Sequence, residues 1–203
     1  MTDAQTLHPA EHRGLRELQA AARHLAGHWR RLASRLPGEP AELLERGAVT
    51  ARELAAELRG QAVAYDVEVF PAAQLLGARG AGLRGAGDVL LERNQAMRAA
   101  VLDAQHVTTL LGYLSEIAER RGDVALTTWE REWRERFETL ETDARATATS
   151  LGASPDAAIE PAEPSALGRA GHAVAMGVGT LGEAIDRSAL GRMARGRRVS
   201  GAG

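Results

Sequence analysis

LRELQAAARHLAGHWRRLASRL, residues 15–36, sets Leu15, Leu18, Ala22, Leu25, Trp29, Leu32 and Leu36 at unbroken intervals of three and four. Side chains so spaced share one face of an α-helix, and polar residues fill the other face. The spacing predicts a helix over 9–36, with Pro9 in its first turn and Pro37, Gly38 and Pro40 ending it.

The same reading extends outward along the chain. A turn or two of helix is expected over 41–46, before Gly47. Thr50 followed by Glu53 has capping-box spacing and marks the next start. Leu54, Leu58, Ala62, Tyr65, Val69, Ala72 and Leu76 continue that stripe, with a kink near 67–70 or a break into two segments expected because Pro71 lies inside it. A third helix is expected from Asp88 as N-cap to about Arg121, with Gly122 as its stop. It carries two apolar stripes: Leu90, Met97, Val101, Ala104, Leu111 and Ala118, and beside them Val107, Leu110, Leu114 and Ile117. An arc that wide calls for a central position or an extra partner. Thr127 and Glu130 repeat the capping-box spacing, and Trp129, Trp133, Phe137, Leu140, Ala144 and Leu151 form the fourth stripe, read as core.

Composition agrees with helices. Hydrophobic residues make up 44% but aromatics only 3%, so the apolar content is mostly Ala, Leu and Val. Ala and Leu suit helices, whereas strands favour β-branched and aromatic residues. Short connections between neighbouring helices favour antiparallel packing, so the expected fold is all-α: an up-down-up-down four-helix bundle over 1–152. Three prolines within 155–164 then predict an extended spacer over 153–165, followed by a C-terminal helical arm over 166–203.

Several chemistries are excluded or weakened. With no cysteine there is no disulfide, thiolate metal site or Cys nucleophile. No Gly-x-Ser-x-Gly elbow is present. Gly80, Gly82 and Gly85 spell G-x-G-x-x-G within GARGAGLRGAG, residues 77–87, but the fingerprint needs a preceding strand, and here a helix precedes it. Asp88 would also occupy the helix amides that a phosphate requires. The stretch is read as an inter-helix turn. A net charge of -2 argues against a nucleic-acid surface. No secretory signal or membrane-spanning run is read, so the expected location is cytoplasmic.

Two functional readings follow. A di-metal bundle typically uses Glu-x-x-His pairs, and none occurs. The nearest candidates are Asp103 and His106, three residues apart on the third helix, and His24 and His28, four apart on the first, with Asp66 and Glu68 on the second. Both histidines of the first helix flank its apolar stripe, as do Asp103 and His106 on theirs. These residues define the alternative reading, a ferritin-like oxidoreductase or storage bundle holding Fe, Mn or Zn; the likeness is one of architecture alone. The first reading predicts no cofactor and no catalysis. Leu167, Val174, Val178, Leu181 and Ile185 give the tail its own stripe, and Arg192, Arg195, Arg197 and Arg198 form a basic end. The tail is expected to dock on a protein partner or on a second copy in a homo-oligomer, with contact to an anionic membrane surface as a lesser role. The third helix's wide arc would be its receiver, and the protein would be a non-enzymatic scaffold.

Overall fold

The computed structural model describes residues 7–65, 67, 91–163, 165 and 170. Four long helices pack against one another: α1 (Pro9–Ala33), α2 (Glu39–Ala64), α3 (Arg93–Arg121) and α4 (Val124–Ser150). A 3-10 turn (Leu151–Ala153) and a short helix α5 (Pro155–Ala158) follow. Among the described residues there is no strand, only an isolated bridge between Glu92 and Pro161. The expected all-α four-helix bundle is therefore the fold.

Helix ends are set by local chemistry. At α1, the His8 ring Nδ1 accepts from the Ala10 amide at 3.1 Å, and the Glu11 carboxylate accepts from the His8 amide at 2.8 Å. Gly122 stops α3 in the left-handed conformation, φ 79°, as expected. Asp123 caps α4 by accepting from the Leu126 amide at 3.0 Å.

Four expected boundaries are corrected. α2 runs unbroken from Glu39 through Gly47, because Gly47 is where the Trp29 ring of α1 presses onto the helix; any Cβ there would fall inside the indole. Thr50 does not cap: its hydroxyl donates to the Arg46 carbonyl at 3.1 Å, within the helix. Likewise Thr127 donates to the Asp123 carbonyl at 2.7 Å, and Glu130 turns into the core rather than back to a cap. α2 stops at Ala64, short of the expected Leu76, and α3 begins at Arg93 behind a Glu92 and Gln95 capping pair. The Pro71 kink, the 77–87 glycines and the Asp88 cap lie outside the described residues.

Helix directions also differ from the expected order. Glu11 meets Arg121, Gly14 lies against Leu114, and His28 meets Asp103, so α1 and α3 are antiparallel. Glu57 bonds Trp129 and Trp133, while Glu39 and Arg46 share a cleft with Asp143 and Thr147, so α2 and α4 are antiparallel too. The order is up-down-down-up. α2 and α3 run the same way on one diagonal, and residues 65–92 must connect opposite ends of a bundle about 40 Å long. That single crossover is one of the known variants of the four-helix plan. The head of the bundle gathers Glu11, Tyr65, Arg121 and Asp123. The foot holds the α1–α2 turn, the start of α3 and the end of α4.

The core contains Leu18, Leu25, Trp29, Leu44, Leu54, Met97, Leu111, Leu114, Trp133 and Phe137, all essentially inaccessible. Val107, Leu110 and Leu114 are buried because α3 packs against both α1 and α4. The wide arc assigned to an incoming tail is consumed within the bundle, and only Ile117 of its second stripe is half-buried. The proline-rich stretch packs back on the foot: the Arg93 amide donates to the Glu160 carbonyl at 3.0 Å, the Ala162 amide to the Leu91 carbonyl at 2.8 Å, and Arg35 pairs with Glu163 at 3.2 Å. Pro155 sits in the first turn of α5, where a missing N–H costs nothing. The extended spacer expected there is thus folded through Glu163.

Candidate metal centre

His24 and His28 lie one turn apart on α1, just off its buried stripe, and Asp103 occupies the matching flank of α3. Because the two helices are antiparallel neighbours, these flanks face each other across one seam. His28 Nδ1 lies 2.5 Å from Asp103 Oδ2, and His24 Nε2 lies 3.7 Å from Asp103 Oδ1. One ligand atom from each residue falls within 4.8 Å of the others. The rings stand 5.6 Å apart between centroids. Exposure is graded: the side chains of His28, Asp103 and His24 are 8%, 17% and 30% accessible, so the group has a buried floor and an open lip.

Two imidazole nitrogens and one carboxylate suit Zn, Fe, Mn and related divalent ions, while the absence of sulfur donors disfavours soft ions. Both histidines are held on one helix and the carboxylate on its neighbour, so the donor set fits such an ion without a new backbone path. Three protein donors leave a coordination position open, the pattern of a reactive rather than a closed structural site.

The other candidates fall elsewhere. His106 shares the α3 face with Asp103 but points to Glu17 at 3.6 Å, and both are more than half exposed. Asp66 and Glu68 lie outside the described residues, as do Leu167, Val174, Val178, Leu181, Ile185, Arg192, Arg195, Arg197 and Arg198. An open cleft of about 660 Å³ between α3 and α4, lined by Arg98, Leu102, Arg145 and Ala148 among others, is separate from the His and Asp group.

A second polar group, at the head, is one that sequence reasoning missed. Arg121 grips Glu11 through Nε and Nη2 at 3.1 and 3.0 Å and reaches Asp123 at 3.1 Å. The Tyr65 hydroxyl donates to Asp123 at 2.6 Å. Burial alone would raise the Asp123 carboxyl, but the Tyr65 hydroxyl, the Leu126 amide and Arg121 outweigh it and hold it below its ordinary value. Burial and the bond to Asp123 push the Tyr65 phenol up to about 12. Glu130 completes the group from α4. Burial first, then the charges of Glu11 and Asp123, push its carboxyl up to about 8. Its position was legible, since 130 lies four after Leu126 and three before Trp133, on the buried stripe itself.

Compared with family models, curated proteins and solved structures, the chain matches none.

Proposed function

We propose that the protein binds one divalent transition-metal ion through His24, His28 and Asp103 at the α1–α3 seam, with an open position for water or a small ligand. The observation that carries this reading is the convergence of three donor side chains from two helices, within 4.8 Å, at a partly open site. Binding a metal ion to such donors displaces protons, so affinity should fall as pH drops. The scaffold reading has lost a support, because the α3 arc that was to receive the tail is covered by α1 and α4.

The test is elemental analysis and calorimetric titration of the full chain, purified without a polyhistidine tag, using Zn²⁺ and then Co²⁺ as a visible probe. One equivalent should bind, with tetrahedral or five-coordinate Co²⁺ bands. His28→Ala and Asp103→Asn should each weaken binding at least about tenfold, and His106→Ala should leave it unchanged. Trace metal only, or His28→Ala indistinguishable from the parent, removes the proposal.

A further inference from the structure

We infer that Glu130 is a proton-binding site built into the bundle interior, and that opening of the head is coupled to release of its proton. Glu130 is 0% exposed, and neither of its carboxylate oxygens has a hydrogen-bond partner among the described residues. The groups around it come from every long helix. α1 presents Glu11, already held by Arg121; α2 ends in Tyr65, whose hydroxyl donates to Asp123; α3 ends in Arg121, engaged with both Glu11 and Asp123; and Asp123 leads into α4. No donor in this set is directed to Glu130.

An ionised Glu130 would therefore be a fully buried charge with no hydrogen-bond donor, beside two carboxylates whose repulsion together with burial outweighs the attraction of Arg121, which is already shared between Glu11 and Asp123. Two compensations exist in principle, a cation or a proton. A metal ion needs donor atoms gathered within a few ångströms, and among the described residues only His24, His28 and Asp103 gather so closely. The acidic side chains at the head do not. The proton remains, and burial together with the Glu11 and Asp123 charges holds it there, with Glu130 raised to about 8. Water admitted by opening the head would return Glu130 to its ordinary acidity, so opening and deprotonation go together. The site lies about 20 Å along α1 from the metal candidates, so the two can be read separately.

Side-chain carboxyl ¹³C resonances of the full labelled chain report the proton directly. The Glu130 resonance, assigned by its loss in Glu130→Gln, should titrate near pH 8. Hydrogen exchange at the Tyr65 and Leu126 amides reports the opening. Corrected for intrinsic exchange, the opening constant of the parent relative to Glu130→Gln should rise about a hundredfold between pH 6 and pH 9. A Glu130 resonance that titrates in the ordinary carboxyl range overturns the inference, as does a relative opening constant that ignores pH. The resonance measurement needs only the parent chain, so it decides even if the variant folds poorly.

Discussion

At the scale of single residues, the interior is set by where a side chain is missing and where one is unpaired. Gly47 lets α2 lie directly on the Trp29 ring, so Gly47→Ala should cost about 2–3 kcal/mol in denaturant unfolding. Gly14→Ala meets only the flexible end of Leu114 and should cost less. Neither contact is readable from a glycine in isolation: Gly47 reads as a stop because glycine is the weakest ordinary helix former, and only the neighbouring helix reveals its use. Glu130 was misread for a related reason. Its spacing to Thr127 suggested a cap, while its spacing to Leu126 and Trp133 placed it on the buried face, and the second pattern prevailed because Asp123 already serves the helix end. His24, His28 and Asp103 were legible as donors one by one. Their convergence was not, since it depends on which helices are neighbours and in which direction they run.

At the scale of elements, α2 and α4 are joined by a polar clasp over an apolar seam. The Glu57 carboxylate accepts from the indole N–H of both Trp129 and Trp133, each at 2.9 Å, and Arg136 stacks 4.5 Å from the Trp133 ring centroid. Stripe spacing identified the tryptophans as core-facing, which Trp133 is; Trp129 is only half-buried and leans on Glu57. Removing the shared acceptor in Glu57→Ala should cost about 1–2 kcal/mol and red-shift tryptophan emission on the exposed side, read by equilibrium unfolding and fluorescence. The helices themselves were legible because four apolar stripes of 3.6-residue period run the length of the bundle. Their directions were not, because the order depends on the 65–92 connection, whose glycines read as a turn between antiparallel neighbours.

At the scale of the whole molecule, the head gives stability a characteristic pH dependence. Asp123 is held below its ordinary acidity in the folded chain, so its contribution is present above about pH 4 and lost as pH falls further. Glu130 has the opposite sign: folded, it keeps its proton up to about pH 8, so stability declines as pH rises from its ordinary value toward 8 and levels off beyond. The decline should approach about 1.4 kcal/mol per pH unit within that window, placing the maximum on the acid side of neutrality, as thermal unfolding across pH would record. The span from the head to the foot sets a minimum length for the connection. Removing residues 77–87 leaves 17 residues between α2 and α3, enough at about 3.4 Å each to reach across some 40 Å, so the four helices of one chain should still pack together. Cutting the connection to about eight residues cannot reach. The α1–α2 and α3–α4 hairpins would still fit one another, but only across two chains, and light scattering should then report a reciprocally exchanged dimer with the same interior. Two hairpins that meet along one shared core keep that alternative partnership within reach of a simple deletion.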